Sequence, residues 1–181
     1  MDTTYTITVV VVVLLIGLLL GMAFSRRNRA KRFQNKFGSE YDRTVKDLGG
    51  EKKAQTELDG RQTHVDGLDI RPLTDVERAR YQADWKLVQA KFVDEPGQAD
   101  TDADRLIMEV MQLRDYPVSD FDQRAADISI NYPELVSNYR AARAIAEKNK
   151  EHKADTEELR QAMIYYRSLF EELLKPEAVA V

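Results

Sequence analysis

The chain contains no cysteine, only two histidines and a single tryptophan. Without cysteine there can be no disulfide framework, no thiolate nucleophile and no thiolate-bound zinc. His64 and His152 lie far apart in sequence, so neither forms a metal-ligand spacing with the other. A phosphate-cradling loop is also missing, because Gly49-Gly50 has no strand-to-helix context around it. Asp100, Asp102 and Asp104 lack the glycine and the closing glutamate of a calcium loop. We read them instead as favouring the start of a helix through its dipole. In so acidic a chain any pair of carboxylates can be drawn together on paper, which makes such pairs uninformative. No segment shows a strand's alternation, and no internal repeat is present. The expectation is therefore a non-enzyme with no catalytic residue, no cofactor and no metal.

What the chain does have is an uncharged apolar run from Ile7 to Phe24, interrupted only by Thr8 and two glycines. At about 1.5 Å rise per residue such a run matches a hydrocarbon core of roughly 30 Å. Lipid offers no hydrogen bonds, so five consecutive valines must be helical there despite their β-branching. A cleaved leader ending after Ala23 is the alternative, but it wants a basic stretch ahead of its apolar core, and here only Asp2 precedes it. The positive charge follows the run instead, at Arg26, Arg27, Arg29, Lys31, Arg32 and Lys36. Positive flanks stay in the cytoplasm. This predicts a single-pass protein of the cell membrane, with residues 1–4 as an extracytoplasmic tail and residues 5–25 as the transmembrane helix. Gly17, Gly21 and Ser25 form a small-residue face on that helix, a candidate surface for pairing two copies.

Charge is segregated along the chain. Of 27 basic residues six fall in 26–36, and of 31 acidic residues only Asp2 precedes Glu40. Residues 37–181 thus carry 21 basic against 30 acidic side chains, a net of −9. A basic collar over residues 26–38 suits anionic lipid head groups, at about 1 kcal/mol per residue. The acidic remainder repels phosphate, so no nucleic-acid partner is expected.

Residues 39–70 read as a partly helical stalk. Tyr41, Val45 and Leu48 keep helical spacing, whereas 51–67 are mostly polar, with only Ala54, Leu58 and Val65 apolar. From 71 to 175 the helical signals sharpen, and residues 176–181 form a tail. Thr74-Asp75-Val76-Glu77 fits a capping box ahead of a stripe at Tyr81, Trp85, Val88 and Phe92, ending near Glu95-Pro96-Gly97. A second helix carries Leu106, Ile107, Val110 and Met111. Ser119 is placed to cap a short third helix, and Asn131 a fourth with Leu135, Tyr139, Ala142 and Ala146 on one face. Asp155 and Glu158 form a second capping box, followed by Leu159, Met163, Tyr166, Phe170 and Leu173. Each stripe needs another to bury it, and the connections are short. The predicted fold is all-α, a transmembrane helix followed by a stalk and a compact helical bundle.

Several segments carry a resemblance. They are Phe37-Gly38-Ser39-Glu40-Tyr41-Asp42, Leu68 through Thr74, Tyr81 through Pro96, Tyr116-Pro117, Asn138 through Ala142, and Thr156 through Met163. In these the chain resembles a family of uncharacterised bacterial proteins with one N-terminal membrane helix and a cytoplasmic helical domain. The resemblance implies that architecture and attaches no activity to it. Asp115 departs from the glycine expected before Tyr116-Pro117.

The expected function is that of a membrane-anchored adaptor or scaffold whose cytoplasmic domain docks a protein partner or another copy. The alternative is a small-ligand binder or enzyme with a site built inside the bundle, which would gather several of Glu109, Arg124, Arg140 and Tyr166. Arg124, Arg140 and Arg143, with Arg71 and Arg114 near helix ends, are also candidates for an arginine-bearing groove. Their plainer reading is ordinary salt-bridging, worth little each.

Overall fold

The computed structural model describes residues 3–176, apart from the side chains of residues 3–14, 19 and 26. Among these residues the chain is all-α, with seven helices and no strand. It divides into two compact units, Met1–Gln55 and Thr56–Val181.

The first unit is built on α1, Thr3–Leu48, which runs through both the apolar segment and the collar. Its backbone leaves helical geometry at Gly38 (φ 49, ψ −127), a conformation that only glycine adopts without strain. Around this point Phe33 packs on Phe37 and Tyr41, with ring centroids 5.8 and 6.0 Å apart. α2, Glu51–Asp66, occupies the stretch expected to be a weak helix. Its three apolar residues, Ala54, Leu58 and Val65, are all buried, which explains why so polar a segment is ordered. No helix among the described residues is long and apolar enough to cross a membrane. The expected span, residues 5–25, lies in large part outside the described side chains.

In the second unit the bundle consists of α3 (Asp75–Lys91), α4 (Pro96–Leu113), α5 (Phe121–Asn131), α6 (Pro133–Lys150) and α7 (Thr156–Leu173). α7 packs against both α4 and α6, α3 lies on α4, and α5 lies on α6. The apolar stripes are the core: Tyr81, Trp85 and Val88 of α3, Tyr139 and Ala142 of α6, and Tyr166, Phe170 and Leu173 of α7 are buried together. Both capping boxes form. Glu77 N–H donates to Thr74 Oγ1 at 3.2 Å and Thr74 N–H donates to Glu77 Oε2 at 2.9 Å, with the equivalent pair at Asp155 and Glu158. The Arg71 guanidinium and the Thr74 N–H together hold the Glu77 carboxyl down at about 2.

Helix boundaries differ from the sequence reading in three places. Asp120, not Ser119, caps α5, accepting from Gln123 N–H at 2.9 Å. Asn131 is the last residue of α5 and its side chain donates to the Tyr116 hydroxyl at 2.7 Å, so α6 starts from Tyr132 with Pro133 in its first turn. Most consequentially, Pro96 opens α4. Proline suits a first helical turn as well as it ends a preceding helix. Asp100 and Asp104 therefore fall inside α4, and both are buried.

Among the described residues, the two non-glycine residues with positive φ have one cause. Asp115 (φ 65) follows α4, and the N–H of Tyr116 donates back to Met111 O at 3.0 Å. His152 (φ 56) follows α6, and Lys153 N–H donates to Lys148 O at 2.9 Å. Both are Schellman ends, where a left-handed residue lets the chain satisfy the last carbonyls. Asp115 thus takes the conformation that the expected glycine would have supplied. In urea unfolding, Asp115→Gly is expected to hold or raise stability. Asp115→Val is expected to lose about 1–2 kcal/mol, the cost of a bulky residue in the left-handed region.

Candidate functional site

Three of the charged residues buried in the second unit, Asp100, Asp104 and Arg124, lie in one cluster where α4, α5, α6 and α7 meet. α4 contributes Asp100 and Asp104, one helical turn apart and facing inward beside Ala99, Ala103 and Ile107. Asp100 is fully buried, and neither of its carboxylate oxygens has a hydrogen-bond partner. Asp104 Oδ2 lies 3.5 Å from an Arg143 guanidinium nitrogen of α6, while its Oδ1 is unpartnered. Arg124 of α5 is buried, donating to the Tyr139 hydroxyl at 3.2 Å and to Val118 O at 2.7 Å. Phe121 lies under both guanidiniums, 5.6 Å from that of Arg124 and 5.3 Å from that of Arg143. Tyr166 of α7 is fully buried, edge-on to Tyr139 with ring centroids 6.3 Å apart, and its hydroxyl has no partner.

An unpartnered carboxylate in an apolar interior costs several kcal/mol if it stays ionised. Burial, reinforced by the neighbouring Asp104, pushes the Asp100 carboxyl up to about 7. Burial also raises Asp104, with the guanidiniums of Arg143 and Arg124 opposing it. Tyr139 is pushed up to about 12 by burial and then by the Asp104 charge, and Tyr166 is raised for the same two reasons. Burial thus shifts both acids and both phenols of the cluster toward their neutral forms. No group of three or more His, Cys, Asp or Glu among the described residues could hold a metal ion.

A second polar contact joins α2 to α5. His64 Nε2 is 3.6 Å from Asp127 Oδ1, a fully buried oxygen that also accepts from Gln123 at 2.8 Å. Burial raises Asp127, while the Gln123 hydrogen bond and the His64 and Arg61 charges pull it down. The other histidine, His152, is the exposed turn residue after α6.

The residues singled out in the sequence separate into distinct places. Arg27, Arg29, Lys31, Arg32 and Lys36 are exposed along α1, with Arg29 over the Phe33 ring at 5.7 Å and Lys36 over Phe37 at 5.1 Å. The Arg26 side chain lies outside the described residues. On the same helix Gly17 and Gly21 have nothing within 4 Å of an added Cβ, and Ser25 is exposed, so that face is open. The arginines named as candidates for a groove take part in contacts within the bundle, in line with their plainer reading as salt-bridging residues. Arg114 is buried and donates to Arg71 O, the Tyr132 hydroxyl and Leu173 O, while Arg71 pairs with Glu77 at 2.8 Å. Of the four residues expected in an internal site, Arg124 and Tyr166 border the cluster. Glu109 pairs with Arg105 at 2.6 Å on the outer side of α4, and Arg140 is half-buried on α6.

Asp100 and Asp104 are what sequence reasoning missed. The available signal was their register: carried back from Ile107 and Met111, the same helical spacing reaches Asp104 and Asp100 once Pro96 is taken as a start. No protein-family model, no curated protein and no solved structure matches the chain.

Because the folded-state pKa of Asp100 is raised, its protonated form is the one that favours folding. That contribution is complete below the unfolded value near 4 and is lost as pH rises through about 7. Asp100→Asn is expected to unfold at higher urea concentration than the wild type at pH 8, by a few kcal/mol at most. The difference between the two should shrink steadily toward pH 4. Parallel pH profiles would show that Asp100 does not titrate in this range.

Proposed function

We propose that the protein is a single-pass, membrane-anchored helical interaction module, with its N-terminus outside the cell and residues 71–175 in the cytoplasm. The observation that carries this reading is the surface of α1. Leu15, Ile16, Leu18, Leu20, Met22 and Phe24 are between 42% and 67% exposed. At 100° per residue they point in all directions around the helix. A helix apolar on every side belongs in a large protein core or in lipid. The exposed bases at 27–36 follow at one end, where anionic head groups would neutralise them and fix the orientation. The small-residue face at Gly17, Gly21 and Ser25 would serve pairing within the bilayer. A module of this kind docks a protein partner near the inner membrane surface, as an adaptor or scaffold. Its residues 37–181 carry a net charge of −9, which disfavours nucleic acid.

A second reading, a small-ligand binder or enzyme, rests on the unpartnered oxygens of Asp100 and Asp104. Among the described residues the cluster around them has no nucleophile hydrogen-bonded to a base, the arrangement covalent catalysis uses.

Topology is directly testable, because the chain has no cysteine to give background. Lys150→Cys in intact cells is expected to resist an impermeant maleimide and to react once the cells are permeabilised. Strong labelling of intact cells would overturn the cytoplasmic assignment. Recovery of a membrane-free form beginning after Ala23 would overturn the anchor.

A further inference from the structure

α3 and α7 both pack on α4, and a groove of about 390 Å³ lies between them. Its floor is Trp85 stacked on Phe170, with ring centroids 4.7 Å apart and planes at 20°, continued by Leu174. Trp85 is only 5% exposed, yet its indole N–H has no acceptor. Four basic residues, Arg78, Lys86, Arg167 and Lys175, line the groove against one acid, Glu171.

These four bases are not equivalent. Arg78 is spent on the structure, donating to Asp75, Leu73 O and Leu174 O at 2.7, 3.1 and 2.9 Å. It forms a fixed wall. Lys86 is exposed and forms no ion pair among the described residues. Among the described residues Arg167 pairs only with Glu171 at 2.6 Å, on α7, and Lys175, just past its end, only with Glu172 at 2.5 Å. Exposed pairs of this kind are worth about 0–1 kcal/mol, so an incoming carboxylate can take over either cation. On a chain whose residues 37–181 carry a net of −9, this is a basic strip above an aromatic floor.

We propose that the α3–α7 groove docks an acidic segment of a protein partner, with a large apolar side chain seated on Trp85 and Phe170 and carboxylates on Lys86 and Arg167. Charge complementarity selects this occupant. A basic segment would meet Lys86 and the Arg167 guanidinium head-on, and a wholly apolar one would strip water from both cations without replacing it. A volume of this size takes one or two large side chains. The inference rests on the interaction-module reading and names the surface and the chemistry of its partner.

The single tryptophan is the readout, since it lies in the groove and nowhere else. The full chain in zwitterionic lipid nanodiscs is used to select from a phage-displayed random peptide library. Selected peptides are then synthesised and titrated while Trp85 emission is followed. The proposal expects enriched sequences that combine Asp or Glu with an aromatic or large aliphatic residue and that shift the emission. Their binding should weaken about tenfold or more in the Lys86→Glu, Arg167→Glu double variant. Lys153→Glu, the same charge change on the α6–α7 turn, should leave binding unchanged, and circular dichroism should find all variants folded. Peptides without acidic residues, peptides insensitive to the double variant, or no enrichment at all would each overturn it. So would an emission shift produced by anionic vesicles alone, or by raising the concentration of the chain itself, which would assign the groove to lipid or to a second copy. None of these outcomes bears on the maleimide labelling, so the docking surface and the membrane topology fail independently.

Discussion

A line of aromatic contacts through α7 holds the second unit together. Phe170 stacks on Trp85 of α3, and Tyr166, one turn earlier, meets Tyr139 of α6, which in turn packs on Phe121 of α5 at 5.1 Å. Two neighbouring side chains of one helix therefore reach partners on opposite sides, and α4 closes the space between them. At one end of this line lies the surface groove, and at the other the buried acids and guanidiniums. Aromatic pairs of this sort add about 0.5–1.5 kcal/mol each beyond the area they bury. Their directionality matters as much as their energy, because it fixes the rotation of α7 about its own axis.

That rotation explains why some of the architecture was readable in sequence and some was not. The stripes on α3, α6 and α7 repeat at strict helical spacing, and both capping boxes are local, so neither depends on knowing the rest of the fold. Asp100 and Asp104 depend on it entirely. A carboxylate near a presumed helix start is ordinarily solvated and favourable to the dipole. Only when Pro96 is placed at the beginning of α4 do the two acids turn toward Tyr166 and Arg143. The arginines depend on it too: Arg71 and Arg143 pair with acids as salt-bridging residues do, whereas Arg114 and Arg124 are buried on a carbonyl and a phenol that no local spacing points to. α2 shows a third kind of limit. Its composition is poor, and only the burial of Leu58 and Val65 makes it a helix worth forming.

The acidic and basic residues divide in space as well as in sequence. Asp100 sits in the interior with neither oxygen hydrogen-bonded, and four bases line the groove of a chain that is net negative. Burying an acid without a partner is unfavourable for stability near neutral pH, whereas solvated bases cost nothing. The arrangement is compatible with a protein whose local electrostatics, more than its net charge, decide what it meets.

α1 keeps helical geometry from the apolar run to Gly38, so rotation about its axis is shared by the apolar and basic segments. Projected down that axis, Arg32 falls within the stripe defined by Gly17, Gly21 and Ser25. If the proposed anchor is right, two copies meeting on the small residues would set their Arg32 guanidiniums side by side just beyond the hydrocarbon. The closeness of such a pair would be set by the anions available to sit between them. Dimerisation within the bilayer would then follow the lipid composition of the inner leaflet and not the helix sequence alone.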